Sequence, residues 1–250
     1  MKKKIIVAVL TASMLLAMPV NVLAAGKPDE RDALVQLEET NATTQSLGIK
    51  ESHSYLEKRR ECGATKYYVY YAVQIENPNP DYAVDFASLK VTIYGSDGSI
   101  LKVENETLDW VAENDAYWYA GYVSLDADEG VPKRIEYKVN ADEWSFHKAS
   151  TDNQIIRSGE LAVTNVSKRG SGYNLRYTGQ ITNNSQFTCS MVKVMVIYKM
   201  KDVEGNEVPV GGDHTYITES LAPGQTTAFE LYPSSEFTGY SSYEVIALQD

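Results

Sequence analysis

The feature that most constrains this chain is a β-rich pattern written twice. In the first copy Ile75-Glu76-Asn77 closes an extended run. Leu89-Lys90-Val91-Thr92-Ile93-Tyr94 follows, and Asp97-Gly98 turns it. In the second copy Ile181-Thr182-Asn183 closes a run, Val194-Met195-Val196-Ile197-Tyr198 follows, and Glu204-Gly205 turns it. Ile181 lies 106 residues after Ile75, Tyr198 lies 104 after Tyr94, and Phe229 lies 110 after Tyr119. A solenoid repeats every 20–50 residues or so. A period near domain size instead predicts two β-domains in tandem.

The N-terminus reads as an export signal. Lys2, Lys3 and Lys4 precede an apolar stretch, Ile5 to Leu23, and Val22-Leu23-Ala24 supplies small-residue cleavage chemistry, so residues 1–24 are a predicted signal peptide. Thr11, Ser13, Pro19 and Asn21 interrupt the stretch, which argues against a stable membrane helix. The expectation is a protein secreted to the cell exterior, either free or associated with the cell envelope, with no membrane span after cleavage. The formal charge of −11 becomes −14 once the three lysines leave. Such a chain is repelled by phosphate backbones, so no nucleic-acid partner is expected. The same charge serves solubility without any special partner.

Residues 25–46 form a polar leader, in which Asp29 to Glu39 suits either a short helix or a flexible segment. Residues 47–147 form the first domain. Leu47 and Ile49 open it, Glu57 to Ala64 reads as a charged connector, and Tyr67 to Ile75 is an aromatic and β-branched strand. Asn77-Pro78-Asn79-Pro80 is a turn, because proline fixes φ and removes a donor. Strands are also predicted at Ser88 to Tyr94, Tyr117 to Leu125 and Ile135 to Val139. Residues 148–159 link to the second domain, residues 160–250, with strands at Leu161 to Val166, Tyr173 to Ile181, Met191 to Met200, Thr226 to Leu231 and Tyr243 to Leu248. Gly211-Gly212-Asp213 reads as a turn, and Leu221-Ala222-Pro223-Gly224 as another. Short strands with turn signals every 8–12 residues or so predict an all-β chain of two tandem immunoglobulin-like antiparallel sandwiches.

The second domain resembles the FxLYD-type domains of exported bacterial proteins. The resemblance is carried by Gly179-Gln180-Ile181-Thr182-Asn183-Asn184-Ser185, Val194 to Tyr198 with Glu204-Gly205, Leu221-Ala222-Pro223-Gly224, and Phe229. The first domain matches through Val73 to Asn77, Ile93-Tyr94 and Asp97-Gly98, and departs at Val111-Ala112-Glu113-Asn114-Asp115. The resemblance implies a small immunoglobulin-like sandwich without defined catalytic residues.

Cys62 and Cys189 sit one in each domain. Domains stacked end to end bring both to the junction, so either an interdomain disulfide or two free thiols is expected. Of the aromatics, Tyr68, Tyr70, Trp118 and Tyr122 are the predicted binding face, on the reasoning that hydroxyl-tipped rings suit half-wet surfaces. The competing reading has these rings fill the core and cover the sheet. His53, His147 and His214 are too dispersed for zinc, Asp126 to Gly130 lacks the spacing of a calcium loop, and Ser54 follows His53 but adjacent strand residues point to opposite faces, so they form no dyad. No metal or other cofactor is expected, and no enzymatic activity. The expectation is a binding or spacer protein whose partner is an extracellular protein or glycan. The alternatives are a carbohydrate-binding module using Trp110, Trp118 or Trp144, and a hydrolase with an acidic pair.

Overall fold

A computed structural model of the chain describes residues 45–148 and 154–250. The signal peptide and nearly all of the leader lie outside the described residues. The described residues contain strands and two 3₁₀ turns but no α-helix. All strand pairings are antiparallel.

The N-terminal half holds β1 (Gly48–Glu61), β2 (Ala64–Glu76), β3 (Tyr82–Val84), β4 (Ser88–Tyr94), β5 (Ile100–Thr107), β6 (Ala116–Asp126), β7 (Arg134–Asn140) and β8 (Phe146–Lys148). The C-terminal half holds β9 (Leu161–Arg169), β10 (Arg176–Asn183), β11 (Val192–Lys201), β12 (Glu207–Ile217), β13 (Thr226–Leu231) and β14 (Ser242–Gln249). In the first half the sheets run β1-β2-β6 and β5-β4-β7, with a small β3-β8 pair; in the second they run β9-β10-β13 and β12-β11-β14. The two orders correspond strand for strand.

Two buried asparagines explain why the Ile-x-Asn motif recurs. Asn77 Nδ2 donates to the carbonyls of Val111 and Ala112, and its Oδ1 accepts from the Asn79 backbone N–H. Asn183 Nδ2 donates to the Leu221 and Phe187 carbonyls, and its Oδ1 accepts from the Ser185 N–H. Each adds a second donor to carbonyls that already pair, and gives the buried N–H two residues on an acceptor it would otherwise lack. The turn following each hub is also equivalent. Gly224 takes φ +74°, and Asn114, 110 residues earlier, takes φ +50°. Asparagine tolerates the left-handed region better than other side chains. The segment Val111 to Asp115 therefore does the work of Leu221 to Gln225 despite its different residues.

The halves are not stacked end to end. The β1-β2-β6 sheet lies face to face with the β12-β11-β14 sheet. Met195, Ile197 and Leu248 join the core of the first half, while Tyr68 and Tyr70 join the core of the second. Four sheets thus stack in layers, with β5-β4-β7 and β9-β10-β13 outermost. Gly211 and Gly212 lie within β12 rather than in a turn. A Cβ on Gly211 would stand 2.6 Å from the Tyr70 Cβ, and one on Gly212 would stand 2.8 Å from the Ala120 Cβ. Glycine in a strand interior marks such a close approach of a neighbouring layer.

Three strand readings are corrected. Glu57 to Glu61 is no connector; it continues β1 to a Cys62-Gly63 turn, and this charged end reaches the other half through Arg59, which hydrogen-bonds Ser235 Oγ at 2.9 Å. Ile100–Thr107, unassigned from sequence, forms β5. It points Lys102, Glu104 and Glu106 to the same side as Ile93, Val91 and Leu89 and so hides its strand signal. The offset of 104 between Tyr94 and Tyr198 is also out of phase. Tyr198 points into its core, whereas Tyr94 points outward with Lys90 and Thr92. In a strand a slip of one residue exchanges the faces.

Candidate functional site

The predicted aromatic face is divided by the packing of the halves. Tyr70 is 1% exposed and Tyr68 is 8% exposed. The Tyr70 ring stacks on Phe237 of the second half at 4.3 Å, and its hydroxyl receives a hydrogen bond from Arg59 at 2.7 Å. Tyr122 is half-buried against both tyrosines, at 6.0 and 5.7 Å. Burial, aided by the Glu61 carboxylate, pushes the Tyr68 hydroxyl up to about 12. Tyr68 and Tyr70 are therefore corrected as part of a free face, since they form the seam between the halves; Tyr122 and Trp118 stay partly exposed. Trp118, half-buried, stacks on His53 at 5.9 Å.

The disulfide is likewise corrected. Cys62 is exposed at the tip of the β1–β2 hairpin, while Cys189 is buried, and both are free thiols. The Cys189 Sγ donates to the Met191 carbonyl at 3.0 Å, and burial raises its pKa to about 11. End-to-end stacking would have been needed to bring them together; face-to-face packing does not.

The interface also encloses an ion pair. Lys193 Nζ lies 2.8 Å from Asp109 Oδ1, with side chains 2% and 0% exposed, and Asp250 stands 3.9 Å away. Burial lifts the Asp109 carboxyl to about 7 against the pull of Lys193. Burial also works to lower Lys193, but the Asp109 carboxylate overcomes it and the lysine pKa rises. A raised carboxyl often marks an active site. Here it faces a lysine inside a packed seam.

An open concavity lies elsewhere, on the N-terminal half. β9 and β14 run against one another in the second half, but their counterparts β1 and β7 part to leave a cleft of 590 Å³. This is within the usual size range of ligand sites. Ile49 lines one wall and Ile135 and Tyr137 the other. The Tyr137 hydroxyl donates to the His53 carbonyl at 3.5 Å. The rim is a ladder of side chains on the outer face of β4 and β7. Lys90 stands opposite Lys138, Thr92 opposite Glu136, and Tyr94 opposite Arg134. Arg134 lies over the Tyr94 ring at 3.8 Å and pairs with Glu136, which also accepts from the Tyr94 hydroxyl at 2.8 Å. Lys90 and Lys138 have no carboxylate partner among the described residues. Like charges directly opposite across a ladder are destabilising. The sequence signal for this rim was the alternation Arg134-x-Glu136-x-Lys138, visible only once β7 is known to be a sheet edge.

A second exposed feature is aromatic. Phe86 and Trp144 are 60% and 62% exposed, with ring centroids 5.9 Å apart. Phe86 holds φ +51°, a strained conformation for a bulky residue. Trp144 Nε1 donates to Asp142 Oδ2 at 3.2 Å. Trp110, nearby, packs on His147 at 5.1 Å and is only partly exposed. Among the described residues no group of three or more His, Cys, Asp or Glu is placed to hold a metal ion.

No family model matches the chain, and no curated protein sequence does. Among solved structures it is similar to red sea bream transglutaminase, at 12% identity over 88% of this chain and 31% of that one, with a TM-score of 0.23. It is also similar to a calcium-binding mutant of Bacteroides uniformis beta-glucuronidase 2, at 13% identity over 73% of this chain and 22% of that one, with a TM-score of 0.19. The chain thus spans less than a third of either protein's length.

Proposed function

We propose that this chain is a non-catalytic binding protein of the cell exterior, made of two tandem immunoglobulin-like sandwiches fused side by side. The equivalent strand orders and the paired asparagine hubs support the tandem reading, and the motifs at those hubs are the ones shared with FxLYD-type domains. The observation that carries the binding role is the cleft between β1 and β7, whose rim holds two lysines without a carboxylate partner among the described residues, in a chain of net charge −11. An acidic protein that keeps cations together around a concavity is suited to an anionic ligand. The fused seam gives the body the rigidity that a spacer or a preorganised binder uses.

The Phe86–Trp144 pair favours a second reading, a glycan platform, because exposed rings of this kind stack on sugar faces. Co-sedimentation of residues 25–250 with the producer's envelope, peptidoglycan and insoluble polysaccharides separates the two. Saturable pelleting lost in Lys138→Glu and kept in Trp144→Ala supports the cleft. The opposite pattern supports the glycan platform. Pelleting unaffected by either variant overturns both readings.

A further inference from the structure

We infer that the cleft accepts an extended acidic peptide as an added β-strand along β7, a proposal that rests on the binding reading above. β7 ends its sheet among the described residues, as β1 ends the facing one. Each therefore turns one row of backbone N–H and C=O groups toward the cleft, and unpaired edges of this kind are templates for another strand. β7 runs through its whole pairing with β4 without a register shift, whereas the opposite edge, β5, carries one. Of the two edges that face the cavity, β1 is shifted between Ile49 and Glu51 and β7 is the unbroken one.

The period of the strand specifies the ligand. Residues of an added strand alternate between the two faces of the sheet. Those on the outer face stand beside Arg134, Glu136 and Lys138, and those on the inner face lie over Ile49, Ile135 and Tyr137. Carboxylates beside Lys138 and Arg134 offset the Lys90–Lys138 repulsion, and a cation suits the place beside Glu136. The ligand is therefore a peptide alternating charged and apolar residues, acidic at the outer ends. A polyanionic sugar satisfies the lysines but leaves the β7 row of backbone groups unpaired.

The probe is the synthetic peptide Thr-Glu-Val-Lys-Val-Glu-Thr, which reads the same in either direction. The controls are a scramble that groups its charges and a linear oligogalacturonate. Binding to residues 25–250 is followed by fluorescence anisotropy and by the amide shifts of Ile135 and Tyr137. The expected result is that the alternating peptide binds at least tenfold more tightly than the scramble. Lys138→Glu should weaken it by a similar factor while leaving the circular dichroism spectrum unchanged. N-methylation of both valines and N-methylation of the three charged residues should differ sharply, since only one set of amides faces β7. Equal affinity for peptide and scramble, or indifference to both methylations, overturns strand addition. Binding of the oligogalacturonate alone overturns strand addition yet leaves the cleft as the binding site. Absence of all three, with no Lys138-dependent pelleting, overturns the cleft reading as well.

Discussion

The sheets β5-β4-β7 and β12-β11-β14 have the same strand order, but they meet different surroundings. On β4 the side chains alternate, Leu89, Val91 and Ile93 inward and Lys90, Thr92 and Tyr94 outward. On β11 the inward set is Val192, Val194, Val196 and Tyr198, and the other face carries Lys193, Met195 and Ile197, equally buried. The difference is the neighbour. β11 has a second sheet on its outer face, and a strand covered on both sides reads as a continuous apolar run. Each added Met or Ile buried there contributes about 1.5–3 kcal/mol. One topology thus serves as a wall facing water in one half and as an inner layer in the other. The half that kept its wall free also kept its side open, between β1 and β7.

The lysines break this comparison most directly. Lys193→Ala leaves Asp109 buried without its partner, a class of change that costs about 3–5 kcal/mol. Lys90→Ala, on the exposed wall, should stay within about 0.5 kcal/mol of the parent. Urea denaturation of both variants checks this. Equal losses would mean that the two outer faces are not differently covered.

The pH dependence tests the same seam. The folded pKa of Asp109 is raised, so the folded state holds its proton more tightly than the unfolded chain. The stabilisation from this group is complete below about pH 4, fades as pH rises through about 7, and is absent above. It should amount to a few kcal/mol across the window. Asp109→Asn removes the titration. The difference in unfolding free energy between parent and variant should therefore change between pH 4 and 7 and level off above pH 8. A constant difference would show that Asp109 titrates normally and that the seam is wet.

What was legible in the chain follows the same physics. The Ile-x-Asn hubs were visible because a backbone requirement is met by one side chain close in sequence, and the long strands were visible from composition. The seam was not. Tyr67 to Val73 and Val192 to Tyr198 announce burial on both faces, but a continuous apolar run does not say which layer covers it. Reading Tyr68 and Tyr70 as an outer face followed from treating each domain as alone. Strand β5 was missed because Lys102, Glu104 and Glu106 point inward, with Glu106 accepting from the Tyr119 hydroxyl at 2.9 Å. The cleft was illegible because it is a gap between two edges that are far apart in sequence.

The asparagine hubs sharpen the comparison at smaller cost. Asn77→Ala and Asn183→Ala each remove the side-chain bonds of a hub and leave the buried Asn79 or Ser185 N–H without its acceptor, for a loss of about 2 kcal/mol. If the seam couples the halves, each variant should lower a single shared transition in calorimetry. Two resolved transitions, with only one moved by each variant, would mean that the halves fold independently.

The smallest effect concerns the two turns after the hubs. A Cβ on Gly224 meets nothing within 4 Å, so the cost of Gly224→Ala is purely conformational, about 1 kcal/mol for a left-handed residue. Asn114 already carries part of that cost at φ +50°. Asn114→Gly should therefore change stability by no more than about 0.5 kcal/mol, the relief at the folded turn being offset by the greater freedom glycine gives the unfolded chain. Asn114→Ala should lose less than Gly224→Ala, because it starts from a residue with a Cβ. The order of these three midpoints in urea tests whether the turns are one device filled by two residues. A large loss on Asn114→Gly would instead mean that the asparagine side chain holds its turn by contacts that Gly224 does without.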